Sequence, residues 1–350
     1  MRFDFVVVGS GIAGLSTAYL AAVRGYRVAL VGIPELMSMV AGSSSGILTY
    51  HMPSPFLEWS LETLEFYEEL GGGVVERVPC IWMSRDASFV DYVASRVREG
   101  GVRVRLASSD TLKSMGVDIQ FFEGEIVTLG DGFRIMVGKL LDVLTSRFVE
   151  LGGTIVRGWG YLEGSRVRVG GEVVEGDSIV VAAGAWSREL LGLNNTIVYK
   201  CQAVRLEEPR VDYMVIDDTI GFYANLAQDG TLALGDGIKV VVKEPEEALK
   251  ADKWVIEEVI RRAQRRGLIA GYRVAYTVSA PCLGTADTYP LVGEVRDGIY
   301  VVTALDGVGF SIAPALAKLL LDSITKGARI PEQLRPDREI EGDEPREPID

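Results

Sequence analysis

The beginning of the chain alternates between short apolar runs and a stretch of small residues. Phe3–Val8 is rich in β-branched residues and stops at Gly9, which predicts a buried strand, and Arg27–Val31 predicts a second one. Leu15–Arg24, between them, consists of small and apolar residues and stops at Gly25, which predicts a helix. Together these segments predict a strand–helix–strand unit.

Similar segments recur later in the chain, with material of another pattern between them. Residues 75–135 consist of short alternating runs and turns, and residues 197–240 show the alternation of antiparallel β-strands. The other predicted helices and buried strands are Phe56–Leu70, Met136–Leu151, Ser178–Ala182, Lys253–Arg266, Gly298–Ala304 and Ile312–Ile324. This order indicates an α/β domain that a second, β-rich domain interrupts twice.

A glycine motif stands at the junction of the first strand and the first helix. The sequence Gly9-Ser10-Gly11-Ile12-Ala13-Gly14 is G-x-G-x-x-G. The first glycine allows a tight turn, the second lets backbone N–H groups approach a pyrophosphate, and the third lets helix and strand pack closely. We therefore predict that this turn binds a dinucleotide.

One part of this fingerprint is missing. An acid is expected at the end of the second strand, where it would bind the adenosine ribose, but Gly32 occupies that position. Glu35 is the nearest acid. It either reaches the ribose from a displaced loop or is a solvated loop residue.

The motif and the element order together predict the domain boundaries. We expect a Rossmann-like domain built from residues 1–55, 136–195 and 280–335. Residues 56–135 and 196–279 would form an α+β domain with antiparallel strands that contacts the substrate. After Arg335 the chain is mostly charge and proline, so residues 336–350 are predicted to be a flexible tail.

The composition of the chain indicates which partners and which cellular compartment to expect. The 350 residues carry a net charge of −13, which argues against a nucleic-acid partner. A hydrophobic content of 48% excludes wholesale disorder. The sequence lacks an apolar run of about 18 residues and a signal-peptide pattern, so we expect a cytoplasmic protein that does not span a membrane.

The cysteines and amides add two expectations. Cys80, Cys201 and Cys282 lie far apart and show no metal-ligand spacing, so we predict free thiols in a reducing compartment and no metal site. Arg far outnumbers Lys, and Asn occurs only at residues 194, 195 and 225. Scarce amides with abundant ion-pairing residues favour a thermophilic source.

Three parts of the sequence together resemble a known family. They are the glycine turn, the strand Ile179–Ala183 that runs into Gly184-Ala185-Trp186-Ser187, and Thr285–Gly293 followed by Gly307–Phe310. This combination resembles the FAD-dependent D-amino acid oxidase family, which includes glycine oxidase and sarcosine oxidase, over about residues 3–328. The resemblance implies FAD as the cofactor and a twice-interrupted nucleotide domain.

The resemblance also implies which residues contact FAD. The glycine turn would hold the pyrophosphate, a small-residue loop would lie beneath the phosphates and the flavin, and Tyr161 would offer its backbone to adenine. The N-terminus of the last helix would point at the flavin pyrimidine edge, where N–H groups and the helix dipole stabilise negative charge. Trp186 packs near the cofactor or belongs to the core. The implied cofactor-binding residues are Gly9, Ser10, Gly11, Ile12, Ala13, Gly14, Ser43, Ser44, Ser45, Tyr161, Ala183, Gly184, Trp186, Gly307, Val308, Gly309 and Phe310.

The substrate side departs from the family pattern. Tyr223 matches a tyrosine that reaches the substrate, but the arginine that clamps the substrate carboxylate in many relatives is Cys282 here. A thiol cannot bind a carboxylate in bidentate fashion. Cys282 would line the pocket or be a buried small residue, and Arg273 would be the first substitute cation. His51 follows the serine-rich loop closely enough to approach the flavin or is structural.

From the resemblance we predict a FAD-dependent amine or amino-acid oxidase or dehydrogenase. Hydride would pass from the substrate carbon to the flavin, and water would hydrolyse the imine. Two alternatives stay open: oxidation of a 2-hydroxy acid or polyol phosphate, and a degenerate FAD-binding subunit of a larger dehydrogenase with no substrate of its own. The expected partners are a small-molecule amine and an electron acceptor (oxygen, a quinone or a protein). A homo- or hetero-oligomer is possible.

Overall fold

The computed structural model describes residues 2–33, 43–208, 211–235 and 237–340. Its helices are α1 (Ile12–Val23), α2 (Phe56–Leu70), α3 (Ala87–Glu99), α4 (Ser109–Ser114), α5 (Val137–Glu150), α6 (Ser187–Leu191), α7 (Lys253–Arg265) and α8 (Gly309–Lys326). Its strands are β1 (Arg2–Val8), β2 (Val28–Gly32), β3 (Ile47–Leu48), β4 (Val75–Ser84), β5 (Val104–Leu106), β6 (Ile126–Ile135), β7 (Thr154–Arg157), β8 (Gly160–Glu163), β9 (Arg166–Val169), β10 (Glu172–Val181), β11 (Ile197–Glu208), β12 (Met214–Asp217), β13 (Phe222–Leu226), β14 (Leu232–Gly235), β15 (Val240–Val242), β16 (Arg273–Gly284), β17 (Leu291–Arg296) and β18 (Ile299–Thr303).

The first sheet carries the glycine turn. Within the described residues its strand order is β17-β18-β10-β1-β2-β7, and the four pairs from β18 to β7 are parallel. Strand β1 is apolar on both faces: Phe5 and Val7 pack in one core cluster, whereas Val6 and Val8 pack in another. Such two-sided burial is what a parallel sheet requires. Helices α1, α2, α5 and α8 cover one of the faces.

The second sheet lies mainly in the regions predicted to be β-rich. Its strand order is β15-β11-β14-β13-β12-β4-β6-β3, with β16 paired to β11 and β5 paired to β6. The pairs are antiparallel except β12 with β4. On β11, Val204 and Leu206 pack against helix α7. Because neighbouring side chains alternate along a strand, Cys201, Ala203 and Arg205 lie on the opposite face.

The cysteines differ from the prediction. Cys201 and Cys282 form a disulfide, whereas Cys80 is a buried free thiol. The two bonded residues are 81 positions apart in sequence, but β11 pairs with β16 so that Cys201 faces Ala280 and Cys282 faces Tyr199. Cys201 and Cys282 are therefore diagonal neighbours on one sheet face. The prediction of three free thiols is wrong, and it no longer supports a reducing compartment.

The tail also differs in part from the prediction. The Arg338 guanidinium binds the Asp287 carboxylate through two contacts of 2.8 Å and donates to the Tyr289 carbonyl oxygen. Burial raises the pKa of Asp287, but hydrogen bonds from Arg338 and Thr285 outweigh it and leave that pKa lowered. The prediction of a loose tail is therefore wrong for residues 336–340.

Removing the disulfide should destabilise the protein without altering its strand pairing. Closing a loop with a sequence separation of 81 restricts the unfolded chain and contributes about 4 kcal/mol in the chain-entropy model. We expect Cys201→Ser/Cys282→Ser to lose up to that amount of unfolding free energy in denaturant titrations, and a reductant to destabilise only the wild type. Equal stability of variant and wild type would contradict the assignment of this bond.

Candidate active site

The glycine turn brings β1, α1 and β10 closer than side chains would allow. A Cβ at Gly9 would lie 2.2 Å from the carbonyl oxygen of Ala182, and one at Gly14 would lie 1.8 Å from the carbonyl oxygen of Gly9. A Cβ at Gly11, in contrast, would meet no protein atom within 4 Å. Two glycines are therefore needed for packing, and the middle one faces a space that a phosphate can enter.

The missing ribose acid has a steric explanation. A Cβ at Gly32 would lie 2.4 Å from the hydroxyl oxygen of Ser10, whose side chain is buried. An acidic side chain therefore does not fit at position 32 unless Ser10 moves. Glu35, the alternative ribose ligand, lies outside the described residues, so its role stays a prediction.

The loop before helix α8 has an unusual backbone. Asp306 and Gly307 have φ values of 47° and 81°. The Asp306 carboxylate accepts a hydrogen bond of 2.6 Å from the Tyr199 hydroxyl and pairs with Lys239 at 2.7 Å. A left-handed conformation is unfavourable for a residue with a side chain, so these contacts hold Asp306 in a strained backbone conformation. Strained conformations of this kind are found at functional sites.

Several short contacts join motifs that are far apart in sequence. The Thr303 hydroxyl donates to the carbonyl oxygen of Gly184 at 3.0 Å, and the Thr49 N–H donates to the Ser311 hydroxyl at 3.0 Å. A Cβ at Gly309 would contact the Ile12 side chain at 3.6 Å. The glycine turn, the Ala183–Trp186 turn and the start of α8 therefore lie close together, and we call the region between them, with the open space at Gly11, the dinucleotide cleft.

The serine loop, defined here as Ser43–Gly46, contacts the second sheet. The Ser45 hydroxyl donates to the Tyr223 hydroxyl at 3.3 Å. The Tyr223 ring lies across β14, because a Cβ at Gly235 would fall 2.1 Å from its hydroxyl oxygen. Tyr223 thus stands on the face of the second sheet opposite helix α7 and reaches the serine loop.

The other two catalytic candidates are separated in the structure. Cys201 Sγ would lie 3.5 Å from a Cβ at Gly307, so the Cys201–Cys282 disulfide borders the loop before α8. Arg273 pairs with Glu207, and its side chain is 71% exposed. Arg273 and Cys282 stand at opposite ends of β16, about 30 Å apart along an extended chain. Arg273 cannot replace a clamp at position 282, and that prediction is wrong.

Two predicted cofactor residues have mainly exposed or polar surroundings. The Tyr161 side chain is 58% exposed, which leaves only its backbone for the predicted adenine contact. The Trp186 indole N–H donates to the Glu246 carboxylate at 2.8 Å, and its ring packs edge-on against Trp159. Trp186 is therefore only partly buried and is not an ordinary core residue, and its place near the cofactor stays a prediction.

His51, five residues after the serine loop, is packed between aromatic rings. Its ring centroid lies 4.2 Å from that of Tyr50 and 4.6 Å from that of Trp82, and its Nδ1 is 3.3 Å from the Thr49 hydroxyl. Burial lowers the pKa of His51 to about 3. The imidazole is therefore neutral near pH 7 and adds no charge to the cleft.

Comparison with known proteins decides which dinucleotide the cleft takes. A family model described as FAD-dependent oxidoreductase matches residues 4–323. The chain belongs to the DAO family of FAD-dependent oxidoreductases. Its cofactor is therefore FAD, as the family resemblance implied.

The relatives share nearly the whole length of the chain. A glycine oxidase of Pseudomonas aeruginosa is 29% identical and covers 91% of this chain and 93% of its own. Among solved structures, an L-proline dehydrogenase of P. horikoshii has a TM-score of 0.79, 19% identity and 94% coverage of both chains. An iminodiacetate oxidase of Chelativorans sp. has a TM-score of 0.77 and 18% identity, and the match covers 95% of this chain and 98% of that chain. The two structures show the same fold.

The geometry of this DAO-family cleft fits FAD. The open space at Gly11 and the start of helix α1 suit an anionic pyrophosphate. The N-terminus of α8, which begins at Gly309, has N–H groups without a partner inside the helix, as the predicted contact with the flavin edge requires; that contact stays a prediction. Among the described residues, no cluster of His, Cys, Asp and Glu could hold a metal ion, and no helix is long and apolar enough to cross a membrane.

Substitution of two glycines separates cofactor binding from folding. Gly11→Val should give a folded protein without yellow colour, because the new side chain meets only the space for the pyrophosphate. Gly14→Val should fail to fold, because its Cβ would collide with the backbone of Gly9. Circular dichroism and FAD absorbance of both variants test this pair. Normal FAD content in Gly11→Val would contradict the assigned pyrophosphate position.

His51 should make the protein sensitive to acid. The unfolded state takes up a proton below about pH 6.5, whereas the folded state does so only near pH 3. Stability is therefore complete above pH 6.5 and falls as the pH decreases through this window. Between pH 7 and pH 5 the loss from this group is about 2 kcal/mol. Denaturant titrations should show a flatter pH dependence for His51→Gln, and identical slopes would contradict this account.

Proposed function

We propose that this protein oxidises the C–N bond of an amine or amino acid. Bound FAD accepts a hydride from the substrate carbon and thereby supplies the oxidising chemistry. The observation that supports the proposal most strongly is the position of Tyr223 on the face of the second sheet opposite helix α7, in contact with the serine loop. The named relatives, a glycine oxidase, an iminodiacetate oxidase and an L-proline dehydrogenase, support the same class of substrate.

The chain's contribution is to orient and desolvate the substrate. The apolar part of the face that carries Tyr223 consists of Ala203 and the Cys201–Cys282 disulfide, which form a wall beside the loop before α8. An apolar wall excludes water and favours a neutral amine, which is the form that can release a hydride. No general base is required for such a transfer, and the neutral His51 fits that expectation.

The disulfide bears directly on substrate preference. It occupies the position at which the family resemblance implies a carboxylate-clamping arginine, and a carboxylate buried against it lacks a partner. The Lys239 ammonium is nearby, but Asp306 neutralises it, and the Arg205 guanidinium on the same sheet face is directed at the carbonyl groups of the serine loop. We therefore propose a substrate whose reacting end carries no carboxylate that needs a clamp, with a secondary or cyclic amine as the first choice.

A matched pair of amines tests this proposal. Pyrrolidine and proline differ only in the carboxylate, so anaerobic mixing with each, followed at the flavin band at about 450 nm, isolates its effect. We expect pyrrolidine to bleach the flavin with at least about a tenfold higher second-order rate constant, equivalent to about 1.4 kcal/mol. Faster bleaching by proline would contradict the account of the pocket. Oxygen and an artificial dye, offered afterwards, identify the class of electron acceptor.

The disulfide also favours one alternative, a FAD-binding subunit with no substrate of its own. In that case glycine, sarcosine, proline, pyrrolidine and 2-hydroxy acids would all leave the flavin oxidised, whereas dithionite would still reduce it. Bleaching by a 2-hydroxy acid but by no amine would instead support oxidation of an alcohol. Either result would overturn amine oxidation while leaving the assignment of FAD intact.

Two broader expectations concern the setting of the protein. We propose a thermophilic source, for which the scarcity of Asn and the excess of Arg are the support, and a cytoplasmic location stays a prediction. The disulfide is compatible with both, because intracellular proteins of hyperthermophiles are often rich in disulfides. A melting temperature of the holoprotein above about 90 °C would support the thermophilic source, and one in the mesophilic range would count against it.

A further inference from the structure

Two side chains of the second sheet hold the carbonyl groups of the serine loop. Arg205 Nη2 donates to the carbonyl oxygens of Ser43 and Ser44 at 3.1 and 2.7 Å. Asn225 Nδ2 donates to the carbonyl oxygen of Ser45 at 2.7 Å. Three successive carbonyl groups of the loop are therefore turned towards the sheet.

Strand pairing explains why these two side chains act together. Ala233 on β14 is paired with Arg205 on β11 and with Asn225 on β13. The three residues form one row across the sheet, on the face that also carries Tyr223. The small side chain of Ala233 leaves room between the two polar ones. Arg134 donates to the Asn225 side-chain oxygen at 3.2 Å and so fixes which end of the amide faces the loop.

This arrangement also determines where the N–H groups of the loop point. In a planar trans peptide the C=O of one residue and the N–H of the next point in opposite directions. Because the carbonyl groups of Ser43 and Ser44 face the sheet, the N–H groups of Ser44 and Ser45 point away from it. Within the part of the chain that the structure describes, neither of these N–H groups donates to another protein group.

Arg205 contributes a charge as well as hydrogen bonds. Its side chain is buried, with 3% of the residue exposed, and Nε and Nη1 have no hydrogen-bond partner. It forms no ion pair with the described carboxylates. Burying a guanidinium that has no carboxylate in direct contact is unfavourable, which points to a role for this charge beyond holding the loop.

The charge of Arg205 affects the pKa of Asp229, but other residues donate the hydrogen bonds to the Asp229 carboxylate. Burial raises the pKa of Asp229, yet hydrogen bonds from Thr231 and Tyr276, together with the charge of Arg205, leave that pKa lowered. Thr231 N–H donates to Asp229 Oδ1 at 3.0 Å, and the Tyr276 hydroxyl donates to Oδ2. The positive charge of Arg205 therefore acts on the serine loop without being neutralised in a direct contact.

We propose that Arg205 and Asn225 are positioning residues for FAD. They hold the serine loop so that the N–H groups of Ser44 and Ser45 face the cofactor. The positive charge of Arg205, behind these N–H groups, favours negative charge on the flavin. The family resemblance places this loop beneath the phosphates and the flavin. The dipole of α8, whose first turn contacts Thr49 just after the serine loop, acts in the same sense. The inference goes beyond the proposed amine oxidation, since it concerns FAD alone.

Three variants distinguish the charge from the contacts. Arg205→Met removes both, so we expect FAD to dissociate with at least about a tenfold higher dissociation constant. Its two-electron midpoint potential should fall by about 30 mV, the equivalent of a tenfold loss of preference for the reduced form. Arg205→Lys keeps the charge but loses the contact to two carbonyl groups, so its affinity should fall while its potential stays near that of the wild type. Arg273→Met removes an equal but exposed charge and serves as the control.

The measurements use FAD alone and need no substrate. Flavin fluorescence during titration of the apoprotein gives the dissociation constant, and dye-coupled reduction gives the potential. If Arg205→Met equals Arg273→Met in both quantities, the proposal is wrong. If Arg205→Met does not fold, Arg205→Lys decides: weaker FAD binding with an unchanged potential supports the proposal, and wild-type affinity or a potential lowered by about 30 mV overturns it.

Discussion

The architecture depends on glycines, which have no side chains, at the turn between strand β1 and helix α1. Gly9 and Gly14 let β1, β10 and α1 approach within distances that a Cβ would occupy, and Gly11 faces the space beside them. The helix N-terminus then meets an anion without intervening side chains. Once that convergence exists, the Ala183–Trp186 turn and the start of α8 follow the neighbouring strands to the same edge. The dinucleotide cleft is thus a consequence of close backbone packing in the parallel sheet.

The second sheet closes the cleft from the opposite side. Tyr223, the Cys201–Cys282 disulfide and the row formed by Arg205 and Asn225 all lie on the face opposite helix α7. Their contacts with the serine loop and with the loop before α8 connect the substrate-side sheet to the cofactor-side sheet. A change of register in β11 by one residue would turn every one of its side chains to the other face, so pairing in this sheet determines the chemistry of the pocket.

Sequence patterns predicted the helices and strands that have a strong hydrophobic periodicity. They did not predict the features that depend on contacts between strands distant in sequence. The helix Phe56–Leu70 was predicted with its observed bounds, because apolar spacing and a glycine stop agree. Helix α3 was missed since its valines have low helix propensity, although Asp86 at its N-cap and Val90, Val93 and Val97 at helical spacing were available signals.

The candidate site divides in the same way. The cofactor motifs are local, so they could be found in the sequence. The disulfide and the contacts of Arg205 depend on strand register, and the binding of Arg338 to Asp287 depends on how the C-terminal segment folds back, and no local pattern contains this information. Arg273 was chosen by its position in the sequence, but β16 is a single extended strand and carries it away from the cleft. Arg205, on the neighbouring strand, had no motif to mark it.

The most direct test of the account is a crystal structure of the holoprotein with a bound amine inhibitor. The account predicts the FAD pyrophosphate against Gly11, the flavin pyrimidine edge at the N-terminus of α8, and the inhibitor between the flavin and the sheet face that carries Tyr223 and the disulfide. A flavin whose ring system lies outside the space between the two sheets, or an inhibitor bound on the α7 side of the second sheet, would contradict it.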